Sequence, residues 1–433
     1  MGNRRKFIKQ LGSAAGMLSL TALSSKAFAE GLKQQLERIK SIAPEESSQD
    51  EEFWRWIREA YTVSPEIINL NNGGVSPQPR SVQDAMVRYY QLCNEGPSYY
   101  MWRILDKGRE SLREKLASLS GCSADEIAVN RNSSEALETV IFGLNLKQGD
   151  EVVLTKQDYP NMINAWKQRE QRDGIKLVWI NLELPVDDDQ KLVSAFENSF
   201  TSRTRLVQVT HVINWTGQIL PARKIADAAH KRNIEVLLDA AHSFAQLDFT
   251  LPETGCDYAG TSLHKWLCAP FGSGMLYIKK EKIKNIWPLF ATDKPLSEDI
   301  RKFESLGTRS FPIEHAISQA LDFHLAIGIK RKEARLKFLK RYWTEKVKDV
   351  NGIRFNTTLN DAHSCALCNF GITGMKTADL ESKLLDKYRI HTAPIVWENI
   401  EGIRITPHVY TMTSELDLLV KAIREIASGA VMK

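Results

Sequence analysis

Leu206-Val207-Gln208-Val209, then Pro221 to Arg232, then Ile234-Glu235-Val236-Leu237-Leu238-Asp239 decide the fold. The two outer runs are short and apolar with β-branched residues, and they read as buried strands. The segment between them carries helical periodicity with Pro221 at its first turn. A strand, a helix and a second strand at this spacing form a parallel crossover unit. The pattern extends in both directions. Upstream, Ile127–Val129, Val152–Thr155 and Leu177–Ile180 read as strands, and Glu135–Leu144 as a helix. Downstream, Asp257–Thr261 reads as one more strand. Such alternation predicts a mostly parallel sheet covered by helices on both faces.

Further out, residues 30–62 are charged and helical in pattern. Ile67-Ile68-Asn69-Leu70 then forms a short strand running into the glycine turn Asn71-Asn72-Gly73-Gly74. Residues 313–350 are strongly helical. A strand near 364–372, a helix near 377–388 and a strand near 402–406 predict a smaller α+β domain. The expected division is a leader at 1–29, an N-terminal helical segment at 30–68 packing with the small domain, a large domain at 69–312 and a small domain at 313–433. No repeats, low-complexity tracts or heptads interrupt it.

Length and composition suit this division. The chain has 433 residues, 43% hydrophobic and 26% charged, which fits two globular domains and rules out dominant disorder. The net charge is +5, but Arg4, Arg5, Lys6, Lys9 and Lys26 all fall within residues 1–29, which contain no acid. Without those five, the 53 acids are matched by an equal number of bases. The body has no excess charge for phosphate backbones, so a nucleic-acid partner is not expected.

Arg4-Arg5-Lys6-Phe7-Ile8-Lys9, a weakly apolar run from Leu11 to Leu23, and Ala27-Phe28-Ala29 resemble a twin-arginine export signal with a small-x-small cleavage site. A basic amphipathic helix or short anchor is the other reading. The run is too short and polar to span a bilayer, so the expectation is a periplasmic protein, free of the membrane, beginning near Glu30. Six cysteines are scattered at 93, 122, 256, 268, 365 and 368. A single C-x-x-C is weak evidence for zinc. Cys365 and Cys368 read as strand residues, and a disulfide stays open in an oxidising compartment.

In open α/β sheets, ligands sit beyond the carboxyl ends of the strands. Those ends deliver Asn130-Arg131-Asn132-Ser133-Ser134-Glu135, Gln157-Asp158-Tyr159-Pro160-Asn161, His211-Val212-Ile213-Asn214, Asp239-Ala240-Ala241-His242 and Ser262-Leu263-His264-Lys265. This inventory matches the needs of pyridoxal 5′-phosphate. Its phosphate needs amides and hydroxyls at a helix start, as at Ser133 and Ser134, with Asn132 and Glu135 spaced like a capping box. Its pyridine nitrogen needs a buried carboxylate, which Asp239 provides. Its aldehyde needs a lysine, and Lys265 lies among apolar Trp266, Leu267, Ala269 and Pro270, where desolvation would lower its pKa. Tyr159 can stack on the ring, and Asn214 and His242 can donate to the phenolic oxygen. Plain helix capping is the rival reading for the serines and for Asp239. A metal site at Asp239, His242 and His264 would set a cation beside Lys265 and is disfavoured. No third glycine follows Gly272-Ser273-Gly274 at dinucleotide spacing, and no G-x-S-x-G elbow occurs.

Leu238 to Ser243, Ser262 to Leu267 and Pro270 to Gly274 together resemble the class V aminotransferase-fold family of pyridoxal-phosphate enzymes. The Asp-Ala-Ala-His and His-Lys-Trp-Leu forms are most similar to its isopenicillin N epimerase-like branch. Asn130 to Leu137, Gln157 to Pro160 and Gly402 to Tyr410 share the resemblance, which runs from about Asn69 to the C-terminus. It implies fold type I of the pyridoxal-phosphate-dependent transferases: an α/β large domain with a mostly parallel, seven-stranded type of sheet, plus a smaller α+β C-terminal domain. It further implies Lys265 as the imine-forming lysine and Asp239 as partner of the pyridinium. Ser262 and His264 would assist the phosphate, with Arg404 and Asn72 on the substrate side. Gly307-Thr308 is similar to a loop lent to the neighbouring subunit's phosphate, implying a homodimer. The expected substrate is an amino acid or amine, and the expected chemistry is aminotransferase- or epimerase-like. A β-lyase and a non-catalytic ligand-binding protein are the alternatives, and a metal-dependent hydrolase is a further rival. Desulfurases of this fold carry a nucleophilic cysteine just before the carboxylate-binding arginine, whereas Thr392 to Asn399 has none, which argues against persulfide chemistry. The family's ring-stacking position is often His but is Tyr159 here, so proton shuttling falls to Lys265 or His242. Tyr99-Tyr100-Met101-Trp102-Arg103 would border the substrate or pack in the core.

Overall fold

The computed structural model describes residues 26–431. The twin-arginine motif and apolar run lie outside the described residues. Only the end of the expected leader is described: Ala27-Phe28-Ala29 falls inside helix Lys26–Arg38, and Phe28 stacks on Trp56 with ring centroids 5.8 Å apart.

The strands run β1 Ile68–Asn69, β2 Ile127–Asn130, β3 Glu151–Thr155, β4 Lys176–Ile180, β5 Thr204–Thr210, β6 Glu235–Asp239, β7 Tyr258–Ser262, β8 Gly274–Ile278, β9 Ile353–Phe355, β10 Cys368–Ile372, β11 Ile390–His391, β12 Ala393–Trp397 and β13 Ile400–Ile405. Seven form one sheet in the order β2-β8-β7-β6-β5-β3-β4. Strands β7, β6, β5, β3 and β4 are parallel, while β8 lies antiparallel between β2 and β7. The chain passes from β3 outward to β4 and returns to β5 on the other side of β3, which opens a crevice at the carboxyl ends of β3 and β5.

Both faces of this sheet are buried, and alternation along each strand sorts its side chains. Val153, Val207, Val209, Val236 and Leu238 join one cluster with the helices Arg109–Ser120, Ala222–His230 and Phe311–Ile327. Val152, Leu154, Leu206 and Leu237 join another with the helices Ser133–Gly143 and Pro160–Asp173. Each such side chain contributes about 1.5–3 kcal/mol on full burial.

The small domain holds the antiparallel sheet β12-β13-β10-β9. Its core includes Leu339, Trp343, Phe370, Ile403, Ile405, Leu416 and Leu419. Two boundaries depart from expectation. Helix Phe311–Ile327 packs on the large domain, because Ala316, Ile317, Ala320 and Leu321 face its core. Strand β1 belongs to the small domain, pairing in parallel with β11, and Leu70 enters that core. The N-terminal segment does not serve the small domain alone. Leu32, Leu36, Phe53, Trp54 and Ile57 join the large-domain cluster. Its ion pairs meanwhile reach later helices: Arg58 binds Glu415 (2.7 Å), and buried Arg335 binds Glu51 (2.5 Å).

Cys365 lies just before β10 rather than in it, and Cys368 opens that strand. Both are fully buried and present as free thiols. Among the described residues no helix is long and apolar enough to cross a membrane, and no His/Cys/Asp/Glu group is arranged to hold a metal.

Candidate active site

A cavity of about 460 Å³ opens at the crevice predicted by strand order. Ten of the residues singled out by sequence line it: Ser133, Ser134, Tyr159, Asn214, Asp239, His242, Ser262, His264, Lys265 and Arg404. Nine come from the large domain. Arg404 arrives on β13 of the small domain, so the site spans the interface between domains.

One wall is a helix start. Asn132 caps helix Ser133–Gly143 by accepting from the Glu135 N–H (2.9 Å). The expected reciprocal half of a capping box is absent, because Glu135 turns back to accept from the N–H of Arg131 (2.8 Å). Ser133 N–H donates to Ser262 Oγ (2.9 Å), whose hydroxyl donates to Ser133 Oγ (3.0 Å). The approach of β8 to this turn requires glycine at 274, since a Cβ there would stand 2.6 Å from Asn132 N. The result is a set of hydroxyls and amides at the positive end of a helix, suited to a phosphate.

Asp239 ends β6 and is buried. Its carboxylate accepts one hydrogen bond, from Ala241 N–H (3.0 Å). Burial raises its pKa, opposed by that bond and by the charge of Lys265. A carboxylate held this way is suited to a cationic partner such as a pyridinium N–H. Asn214 is likewise underused, with its Oδ1 buried and unpartnered.

Lys265 sits three residues past β7 in a tight turn. Leu263 N–H donates to Ser273 O (3.0 Å), and Ala269 N–H to Leu263 O (3.0 Å). Buried Lys332 donates to the carbonyl of Trp266 beneath it. Burial lowers the pKa of Lys265 to about 8. Its Nζ lies 3.1 Å from His242 Nε2. On the far side of that ring, Trp266 Nε1–H donates to His242 Nδ1 (3.4 Å). An indole N–H only donates, so Nδ1 is the acceptor and the imidazole proton sits on Nε2. Burial, then the charges of Lys265 and Arg404, hold the His242 pKa well below its ordinary value, so the ring stays neutral. Nε2–H therefore faces a lone pair on Lys265, and the neutral amine is the form this arrangement accommodates.

That arrangement gives a pH prediction. Capture of pyridoxal phosphate by the apoprotein, followed by absorbance, should accelerate about tenfold per pH unit below 8 and level off above it. Trp266→Phe frees the imidazole to take the other tautomer and accept from an ammonium. The break should then move up by about one unit. A break that stays put in this variant counts against the tautomer assignment.

Arg404 is buried with no acidic partner. Its two terminal nitrogens donate to Asn214 O (2.9 Å) and Asn71 Oδ1 (3.0 Å), while Nε has no partner. Burial pulls its pKa down to about 10. Its fork is aimed where a carboxylate would complete it.

Two predicted residues are elsewhere. Asn72 does not line the cavity. Its amide donates to Thr406 O (2.8 Å) and Asn69 O (3.2 Å), and its Oδ1 accepts from Tyr410 (2.7 Å), so its polar atoms are occupied by the fold. Its neighbours act instead: Gly73 and Gly74 line the cavity, and Asn71 holds Arg404. Thr308 lies in a separate cavity of about 250 Å³, with Arg109, Arg131 and Arg309. The run at 99–103 does not line the site; Met101 packs against the small cluster of Cys93, Leu105 and Phe311, while Tyr99 and Trp102 are exposed. Asn161, delivered by the segment after β3, lines the site as well, whereas sequence reasoning missed Thr210, Trp215 and Ile395. Thr210 and Trp215 directly flank the strand-end segment His211 to Asn214 already singled out. Ile395 carries no local mark of function.

The matching family model is "Aminotransferase class-V", over residues 68–393. Isopenicillin N epimerase of Amycolatopsis lactamdurans is 27% identical, covering 86% of this chain and 98% of the relative. That of Streptomyces clavuligerus is 28% identical, covering 86% and 97%. A "Probable cysteine desulfurase" of Synechocystis is 25% identical, covering 83% and 90%. Among solved structures, the apo cysteine desulfurase of Thermococcus onnurineus superposes with a TM-score of 0.77 at 23% identity, covering 86% of this chain and 98% of that one. The cystine C-S lyase C-DES gives a TM-score of 0.76 at 22% identity, covering 83% and 98%. The chain therefore belongs to the class V aminotransferase family, in its isopenicillin N epimerase-like branch, with pyridoxal 5′-phosphate as cofactor.

Proposed function

We propose that the protein removes the Cα proton of an amino acid and either returns it to Cα, epimerase-like, or transfers the amino group to a keto acid, aminotransferase-like. The observation that carries this reading is a half-buried amine, Lys265, and an acid-free buried guanidinium, Arg404, lining one cavity. When bound, pyridoxal phosphate supplies an electrophilic carbon for the substrate amine and an electron sink for charge left at Cα. Asp239 would hold the cationic ring nitrogen, and Ser133, Ser134, Ser262 and His264 the phosphate. Tyr159 would cover the ring, and Asn214 and His242 would meet its phenolic oxygen. Arg404 would grip the substrate carboxylate and so orient the Cα–H bond. Lys265, as a neutral amine, would take the proton from Cα.

Relatives named cysteine desulfurase make C–S cleavage the competing reading. No cysteine lines the cavity, and the segment before Arg404 is strand β12, with Ile395 at the site. Both observations argue against persulfide chemistry. The deciding experiment incubates the holoprotein with D- and L-amino acids in deuterated water. The expected result is Cα deuteration with inversion, or transfer of the amino group to a keto acid. Release of ammonia and a keto acid without Cα exchange would establish the lyase reading. Absence of any reaction would leave a ligand-binding protein. Arg404→Ala should raise KM for amino acids about 10²-fold, matching loss of a charge-assisted bidentate contact; simple amines should lose less.

The homodimer and export readings belong to the same proposal. Gly307 faces open space, with nothing within 4 Å of an added Cβ, and Val87, Tyr90, Tyr99, Trp102 and Phe271 expose apolar surface. A partner would cover that surface and receive Thr308. Light scattering at the mass of one chain would refute this. Replacing Arg4-Arg5 by two lysines should strand the precursor in the cytoplasm, and unchanged periplasmic recovery would refute the twin-arginine route.

A further inference from the structure

We infer that the substrate is an α-amino acid with an uncharged, apolar side chain, seated against Ile395 and Trp215. The inference rests on the proposed reading and narrows it. Three observations support it.

The first is the charge inventory. The cavity lining contains three charged side chains, Asp239, Lys265 and Arg404. The cofactor nitrogen, the proton transfer and the substrate carboxylate take one each. The two imidazoles, His242 and His264, are held neutral, their pKa values lowered first by burial and then by Lys265. Glu135 is paired with Arg131 (2.9 Å), and Lys156 at the rim with Glu398 (3.5 Å). No charge is left over for an ionised side chain.

The second is register. In the antiparallel pair β12–β13, Ala393 faces Arg404, Ile395 faces Gly402 and Trp397 faces Ile400. Opposed residues share a face, and alternate residues along a strand do too. Ile395 therefore stands on the face that presents Arg404, opposite a glycine with no side chain to intervene. A ligand whose carboxylate meets Arg404 lays its side chain along Ile395.

The third is rigidity. Trp215 stacks on Trp397 with centroids 5.2 Å apart and planes 21° apart. Trp397 Nε1–H donates to Lys156 O (2.8 Å), which pins the hairpin to the end of β3. Ala393, Ile395 and Ile400 form one apolar cluster with the two indoles. A wall preformed in this way favours apolar atoms, and an ionised group pressed on it loses water without gaining a counter-charge.

The test titrates the holoprotein with size-matched amino acids and reads binding from the cofactor absorbance. Leucine, methionine and phenylalanine should bind at least about tenfold more tightly than aspartate, glutamate and lysine. Trp215→Ala should erase most of that margin. Ile395→Arg should move the preference at least tenfold toward glutamate, with Ile395→Ala as the milder variant. The absorbance of each variant before ligand addition reports that it is folded and loaded. Equal or tighter binding of the charged set, or a margin untouched by all three variants, overturns the inference while the proposed function stands. If no amino acid perturbs the absorbance, both fall together.

Discussion

Lys265→Ala should lower turnover by about 10³-fold or more, near the upper range for removing a general base that is also the attachment point. Several side chains surround this amine, so the expected loss is specific. His242 lies within 3.1 Å but is neutral and presents N–H, so it cannot accept the Cα proton. Tyr159 offers only a phenol, and Asp239 would be committed to the ring nitrogen. No other lysine lines the cavity. The variant should still bind pyridoxal phosphate reversibly, because the phosphate wall at Ser133 and Ser262 and the acid at Asp239 are untouched. Borohydride reduction followed by peptide mapping should label Lys265 in the native protein and nothing in the variant. A variant with more than about a tenth of native turnover would sink the assignment.

Asp239→Asn is the second large effect, and it separates two roles that a simple loss of activity would confuse. The asparagine keeps the side-chain oxygen that accepts from Ala241 N–H but removes the charge. Turnover should fall about 10²–10³-fold, the scale for deleting one preorganised electrostatic contact at a reacting centre. Apoprotein stability should move the other way. Burial raises the pKa of this carboxyl in the folded chain. A raised acid pKa means that ionisation costs folding energy, a cost absent well below the unfolded pKa and fully present above the folded one. At neutral pH the native apoprotein carries that cost and the asparagine variant does not. The apo melting temperature should therefore hold or rise, while the increment on adding cofactor shrinks. A variant that melts lower in both states would show that Asp239 is a fold-holding residue rather than the cofactor's counter-charge.

Most of the cofactor wall was legible in the sequence for a local reason. Residues that follow a buried parallel strand must emerge at one edge of the sheet, so Ser133, Tyr159, Asn214, Asp239 and Lys265 could be assigned to a shared rim before any contact was known. Asn72 shows the limit of that reading. It adjoins Gly73 at the rim, yet its amide is consumed by Thr406 and Tyr410, residues more than 330 positions later. No local pattern distinguishes an asparagine that faces a cavity from one that ties two strands together. Strand β8 was read only as a glycine motif, because its antiparallel insertion between β2 and β7 is a pairing choice rather than a periodicity.

From sequence alone came the α/β class, the large and small domains, the cofactor, and Asp239 and Lys265 as the proposed partners of its nitrogen and aldehyde. Each follows from periodicity or from side-chain chemistry carried within a few residues. Only the tertiary structure decided that β1 crosses to the small domain, that helix Phe311–Ile327 stays with the large one, and that Ile395 and Trp215 meet beside Arg404. It also decided which imidazole nitrogen faces Lys265. These depend on contacts between segments far apart in the chain, where packing and hydrogen-bond satisfaction across the whole molecule select one partner among many that the local code permits.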